Sequence, residues 1–514
     1  MKKKRILWAD DEIDMLRSHI LFLEEKGYDV TPVNSGQDAI DSIRGEVFDI
    51  VFLDENMPGL SGLDALGLIK EINPGIPVVM ITKNEDEGIM THAIGKKIAD
   101  YLIKPVNPNQ ILLSIKKNLH KDDIVSEVVL ESYREDFGKI SALINDSLTY
   151  TDWVNIYKKL VYWEIELTAS ASPLLDLLKT QKNEANDAYC KFVKKNYESW
   201  IQNIDTRPLI SPDLFHKKVF PLLDNDEKIF FILIDNFRLD QWWDVKDLLS
   251  NEFSISEDEY FSILPTATQY ARNAVFSGLM PSMIAKMYPD LWVEEDEEES
   301  KNMNEEALLQ TQIDRFRKKY SFSYNKLLSS SFGEKLVQNM NTLSNKQLNV
   351  VVINFVDMLS HARTESKMIR ELASDEAAYR SLTRSWFKHS STMDILHKAK
   401  DMGYKIILTT DHGTARVKNA LKVIGDKTVN SNIRYKVGRN LEYDRKKVYD
   451  VHSPDKIGLP APYLSTKYIF AAGDDFFAYP NNYNYYVSYY TDTFQHGGIS
   501  MEEMIVPFIT LTGK

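Results

Sequence analysis

The chain has 514 residues, 43% hydrophobic and 27% charged, with a formal net charge of −13 and one cysteine, Cys190. That length accommodates three or four domains and at least one large core, and the composition is that of an ordinary soluble protein. No apolar run reaches transmembrane length, "MKKKRILWADDEIDML" turns acidic too early for a secretory signal, the lone cysteine excludes an internal disulfide framework and points to the cytoplasm, and the acidic balance argues against a nucleic-acid coat protein.

Strands are expected at 5–9, "RILWA", and 49–53, "DIVFL", each ending in acid: Asp10-Asp11 and Asp54. Others are expected at 77–81, "PVVMI", and at about 98–102, "IADYL", with helical segments between. Strand and helix alternate for roughly 120 residues, which calls for a small parallel sheet. Three carboxylates at strand ends cannot all stay charged and unpaired; a hard cation such as Mg²⁺ resolves this. Thr82 ends one strand and Lys104 the next, just before Pro105. With Asp54 inside "LDENMPGLSG", Thr82 in "MITK" and Tyr101 in "YLIKP", residues 1–120 resemble a two-component receiver domain of flavodoxin-like fold. The resemblance implies that Asp54 accepts a phosphoryl group from a sensor histidine kinase. It also implies Mg²⁺ on Asp10, Asp11 and Asp54, with Thr82, Lys104 and Tyr101 reporting the modification.

Residues 121–205 show helical periodicity and no strand pattern, the mark of a helical linker bundle. In "LTYTDWVNIYKKLVYWEIEL", Trp153, Ile156 and Leu160 share a stripe that Tyr150 and Trp163 extend, as expected of a helix–helix contact. No helix-turn-helix motif and no one-sided basic cluster is evident, so no double-stranded DNA-binding domain is expected.

From residue 206 a second, larger α/β domain is expected. Asp235 follows the strand in "KIFFILIDNFRLDQW". Asp357 follows that in "NVVVINFVDMLSH", with His361 one helical turn on, so both side chains share a face if a helix follows the strand. Asp411 and His412 end the strand in "YKIILTTDHGTAR", and His496 precedes Gly497 and Gly498, which permit a sharp turn beside a ligand. Three Asp and three His at strand ends suit Zn²⁺ or Mn²⁺ better than Ca²⁺, and suffice for two ions with open positions. Thr266 and Thr268, in "PTATQYARNAVFSG", lie just before a helical stretch. Either is a candidate nucleophile, activated by a metal and a helix N-terminus, and either could instead be an N-cap.

These segments resemble the PglZ branch of the alkaline phosphatase superfamily over about 206–514. The resemblance implies one zinc ion on Asp235, Asp411 and His412, a second on Asp357, His361 and His496, and Thr268 as nucleophile, with Asn236 beside the first ligand. The whole arrangement resembles the PorX-like response regulators of type IX secretion. It implies phosphodiesterase activity on linear or cyclic oligonucleotides, homodimerisation on phosphorylation, and an extracytoplasmic-function sigma factor as a further partner. Residues 416–447 hold ten Lys/Arg against three acids. Arg434, Lys436 and Arg439, with Asn236, are therefore expected to bind substrate, Tyr435 and Tyr443 adding stackable rings. The acidic run "VEEDEEES", 293–300, is expected to be a solvated surface segment. The competing readings are a protein-interaction module with a structural metal site and a phosphomonoesterase.

Overall fold

The computed structural model describes residues 3–83, 98–119, 121–146, 148–294, 302–425, 430 and 432–514. It divides into two compact units, residues 1–132 and 133–514, the division falling within the helix Lys121–Ile144. No described helix is long and apolar enough to cross a membrane.

The first unit is a five-stranded parallel sheet of β1 (Arg5–Ala9), β2 (Asp29–Val33), β3 (Ile50–Asp54), β4 (Val78–Thr82) and β5 (Asp100–Ile103), in the order β2-β1-β3-β4-β5. Alternation along the strands decides the two faces. Leu7, Ala9, Val51 and Leu53 join one core, while Ile6, Trp8, Ile50 and Phe52 join another. A sheet buried on both faces needs continuous apolar strands, which is why β1 and β3 read so plainly in the sequence. The edge strand β2, "DVTPV", has no such run and was not expected. Helix starts follow Ser-x-x-Asp spacing: Ser35 and Ser61 accept the backbone N–H of Asp38 and Asp64 at 3.1 and 3.2 Å, each cap contributing about 1 kcal/mol.

The second unit begins with the end of the long helix and continues through Tyr150–Ala169 and Leu175–Gln202. Thr149 and Asp152 form a capping box at the start of Tyr150–Ala169. Trp153, Ile156, Leu160 and Trp163 are buried as the stripe requires, whereas Tyr150 is 37% exposed. Tyr150 is the first helical residue, and its ring lies at the end of the helix rather than within the contact.

The main sheet of this unit contains β6 (Ile229–Ile234), β7 (Phe253–Phe261), β8 (Phe322–Leu327), β9 (Leu348–Ile353), β10 (Lys405–Thr409) and the C-terminal strand Ile505–Gly513. The C-terminal strand lies between β7 and β10, antiparallel to both, and β10, β6, β9 and β8 run parallel in that order. Leu233 is opposite Thr409 and Ile234 is opposite Ile353, so three parallel strands end level. Asp235, Asp357 and Asp411 thus leave one edge of the sheet, where open α/β sheets place ligands. β7 and β8 carry mixed, half-exposed residues, and neither was expected from the sequence.

Candidate active site

In the receiver unit Asp10 and Asp54 are buried and Asp11 is exposed, and one ligand oxygen from each lies within 4.8 Å of the others. Lys104 Nζ lies 2.8 Å from Asp10 Oδ2 and 3.0 Å from Asp54 Oδ2. Burial raises the Asp54 pKa against the opposing pull of Lys104. The Thr82 hydroxyl donates to Glu55, and half-buried Tyr101 packs on the core that contains Met80. Gly62 follows from close approach: a Cβ there would come within 2.1 Å of the Asp54 carbonyl oxygen.

In the larger unit two triads meet. Asp235, Asp411 and His412 are completely enclosed, and Asp357, His361 and His496 form the second, more open set. Asp357 and His361 occupy successive turns of the helix Phe355–Glu365, with His361 Nε2 3.5 Å from Asp357 Oδ2. His496 Nε2 lies 3.6 Å from Asp357 Oδ1. The rings of His412 and His496 stack at 4.3 Å, which places the triads side by side. Asn236, at φ 63°, ties them together: its backbone N–H donates to Asp411 at 3.4 Å and its amide to Asp357 at 3.2 Å.

The imidazoles are oriented by backbone. His412 Nδ1 is 3.1 Å from the Gly413 carbonyl and His496 Nδ1 is 3.2 Å from that of Thr266. An Nδ1–H donated to each carbonyl leaves Nε2 as the lone-pair nitrogen facing the carboxylates. Burial, reinforced by His412, lowers His496 to about 3, so it is neutral. Burial pushes Asp411 up, but Arg272 and then His412 outweigh it and hold the carboxyl at about 2.

The residues fit a divalent ion in each triad. Asp235 Oδ1 is buried, accepts no hydrogen bond and faces His412 Nε2 at 3.7 Å. A buried carboxylate oxygen without a hydrogen-bond donor, facing an imidazole nitrogen, is a donor pair suited to a divalent cation.

Thr268 opens the helix Thr268–Ser277, and its Oγ1 lies 3.2 Å from His412 Nε2. Thr266 is fully buried, donates to the Gly498 carbonyl at 2.9 Å and accepts the Gly497 N–H at 3.0 Å. Neither threonine is the N-cap; Ala267 is. Thr266 instead pins the turn after His496, where Gly497 has φ 119°.

Two expected substrate residues are corrected. Arg434 is fully buried and paired with Glu503, its Nε 3.1 Å from Oε1. Lys436 is 1% exposed, its ammonium donating to the Asn430 carbonyl at 2.9 Å and lying 4.6 Å over the Tyr479 ring. Lys436 lies on the short strand Tyr435–Gly438, and Arg434, just before it, turns to Glu503 in the short helix that precedes the C-terminal strand. Tyr435 is likewise buried and Tyr443 half-buried. Arg439 is exposed, 3.8 Å over the Tyr463 ring. Residues 426–429 and 431 of this segment, and 295–300 of the acidic run, lie outside the described residues.

Arg272 was missed. Completely buried, it pairs with Asp235, with Asp411 at 2.9 Å and with Glu305 at 3.3 Å. Its position four residues after Thr268 was the available signal, since that spacing shares a helix face. Glu305 lies far along the chain and had none.

Comparison with known proteins gives three family matches. The BREX system PglZ alkaline phosphatase-like domain matches residues 214–511, the PorX response regulator linker domain 123–201 and the response regulator receiver domain 6–116. The alginate biosynthesis transcriptional regulatory protein AlgB of Pseudomonas syringae pv. tomato is 37% identical over 115 residues, 22% of this chain and 26% of that protein. The transcriptional regulatory protein ZraR of Escherichia coli K12 is 33% identical over 141 residues, 27% of this chain and 32% of that one. The chain therefore matches only about a quarter to a third of these relatives' length. Among solved structures, a CheY-like receiver domain protein from Methanospirillum hungatei JF-1 is 28% identical, with a TM-score of 0.23, covering 23% of this chain and 96% of that one. The response regulator TrrA from Thermotoga maritima, solved with Mg²⁺ and BeF, is 28% identical with a TM-score of 0.21, covering 23% and 99%.

Proposed function

This chain belongs to the PglZ alkaline phosphatase-like family, behind a receiver domain and a PorX-type linker, and we propose from that premise that it is a phosphorylation-controlled, zinc-dependent phosphodiesterase. One observation carries the reading: two Asp/His triads meet at stacked His412 and His496, with the Thr268 hydroxyl 3.2 Å from His412. Asp235, Asp411 and His412 would hold one zinc ion, and Asp357, His361 and His496 the other. When bound, such ions polarise phosphoryl oxygens and acidify a neighbouring hydroxyl.

Thr268 is the nucleophile in this scheme. Its Oγ1 attacks phosphorus in line, the bond to the leaving oxygen breaks as the Oγ1–P bond forms, and the Thr268 proton passes through solvent to the leaving oxygen. Water then cleaves that bond and restores the hydroxyl. The positive end of the helix Thr268–Ser277 faces the phosphoryl charge. Arg272 holds the carboxylates of Asp235 and Asp411 in place, and Asn236 keeps the triads in fixed relation.

The substrate class is a linear or cyclic oligonucleotide, and the setting type IX secretion, as the PorX-type linker suggests. A sensor histidine kinase would phosphorylate Asp54, Mg²⁺ on Asp10, Asp11 and Asp54 supporting that step, with a homodimer and an extracytoplasmic-function sigma factor downstream. Zinc analysis with activity on bis-p-nitrophenyl phosphate, p-nitrophenyl phosphate and a short oligonucleotide tests the proposal. Two zinc equivalents and a preference for diesters support it; a preference for the monoester overturns it.

A further inference from the structure

The helix Tyr483–Tyr490, "YNYYVSYY", sorts its tyrosines by face. Tyr483, Tyr486 and Tyr490 pack on the apolar cluster of Val417, Ile433, Phe476 and Ala478. Tyr485 and Tyr489, one turn apart, take the outer side, and Tyr485 is 62% exposed. Their rings are nearly parallel, 5.8 Å apart at 16°. Core packing accounts for the inner three and gives no reason for the outer pair.

Cations adjoin this pair. Arg370 lies 5.7 Å over the Tyr489 ring and donates to the carbonyls of Arg363 and Thr364, at the end of the helix that carries Asp357 and His361. Arg416 follows the Asp411-His412 loop; it pairs with Asp492 at 3.2 Å, while its buried Nε has no partner. Arg363 donates to the Asp492 carbonyl and Arg370 to the Arg363 carbonyl, so Asp492 joins Arg363 to Arg416. Three arginines thus crowd together, an arrangement that an incoming anion relieves.

Both ends of this surface lead to the open triad. Tyr489 is seven residues before His496, and Arg370 nine after His361, whose side chain is 58% exposed. Resting on the phosphodiesterase reading, we infer that Tyr485, Tyr489, Arg370 and Arg416 form a subsite for single-stranded nucleic acid at the rim of the site. The outer ring faces stack bases and the arginines meet phosphates flanking the scissile diester. Aromatic faces beside cations are the recurrent means of holding a single strand without reading its sequence. The cation-rich segment at 434–436 is internal, so this rim takes the part expected of it.

The test uses the full-length, zinc-supplied protein, a fluorescein-labelled oligothymidylate and bis-p-nitrophenyl phosphate. Replacing Tyr485 and Tyr489 together with Ala is expected to raise KM for the oligonucleotide about 10-fold or more. The kcat, and both constants for the small diester, stay within about twofold. Phe at both positions restores KM, because the ring face and not the hydroxyl makes the contact. Arg370→Gln weakens binding and flattens its salt dependence. An unchanged oligonucleotide KM in the double Ala variant, with the small diester still cleaved, overturns the subsite. A changed sedimentation mass with unchanged KM does so too, marking the face as a contact between copies. If the parent protein cleaves neither diester, the phosphodiesterase reading is what fails. Fluorescence polarisation on Thr268→Ala protein, with and without the two alanines, still decides the subsite: weaker binding with them supports it, and equal or no binding overturns it.

Discussion

Thr266 and Thr268 stand two residues apart, and their hydroxyls serve different elements. Both hydrogen-bonding capacities of Thr266 are spent on Gly497 and Gly498, whereas Thr268 faces His412. Thr268→Ala is expected to lower kcat about 100-fold or more, the cost of losing the covalent route, while both zinc equivalents stay bound. Thr266→Val should instead weaken zinc binding at the triad proposed to include His496, because the turn behind that imidazole loses its pin; metal titration distinguishes the two. Asp475 gives a pH-dependent case. Burial, against the pull of Arg434, raises its pKa to about 6. A folded-state value above the ordinary carboxylate range means that its stabilising contribution is full below about pH 4 and is lost as pH rises through about 6. Asp475→Asn should therefore raise the melting temperature at about pH 8 and give no gain at about pH 4, as read by scanning calorimetry.

Elements are joined through buried charge. Glu164, on the helix Tyr150–Ala169, accepts from Lys182 at 2.8 Å and from Arg380 at 2.7 Å; Lys182 also lies 3.1 Å from Glu502. Arg380 reaches Asp240 at 3.2 Å, and Asp240 accepts at 2.8 Å from the Nε of Arg238, three residues after the proposed ligand Asp235. Burial opposes ionisation of Glu164, but Lys182 and then Arg380 outweigh it and hold the carboxyl well below its usual range. The oxygens of Glu164, Asp240 and Glu376 also lie close enough together for a cation, yet Arg238, Arg380 and Lys182 already supply their counter-charge. The network fastens the linker helices to the loop that carries Asp235 of the enclosed triad. Lys182→Met leaves Glu502 and Glu164 short of a cation, and should cost about 3 kcal/mol in urea unfolding.

At the scale of the whole molecule, a receiver with Asp10, Asp54 and Lys104 assembled precedes an alkaline phosphatase-like domain with its own pair of Asp/His triads. Added charge and acceptor oxygens at Asp54 would compete for Lys104 and for the Thr82 hydroxyl now donated to Glu55. Beryllofluoride on Asp54 should shift the sedimenting species from monomer to dimer, and Asp54→Asn should abolish the shift. An unchanged mass with beryllofluoride shown to be bound would reject that form of control.

Much of this was legible in the residues themselves because it depends on local rules. Apolar runs such as "IFFILI" and "NVVVI" announce buried parallel strands, and acids or imidazoles directly after them must sit at the carboxyl edge of the sheet. The separation of Asp357 from His361 places both on one helical face. Strands β2, β7 and β8 escaped notice because edge or half-exposed strands lack the continuous apolar signal. Pairing across the sheet was beyond the sequence. The level strand ends that bring Asp235 beside Asp411, the stacking of His412 on His496, and the approach of Arg272 to both carboxylates join residues on separate elements far apart along the chain. Composition read Arg434 and Lys436 as a basic surface; packing made them interior, Arg434 against Glu503 and Lys436 against the Asn430 carbonyl and the Tyr479 ring. The sequence specified which chemical groups the chain would bring to its strand ends, and tertiary contact alone decided which of them face one another and which cations remain open to solvent.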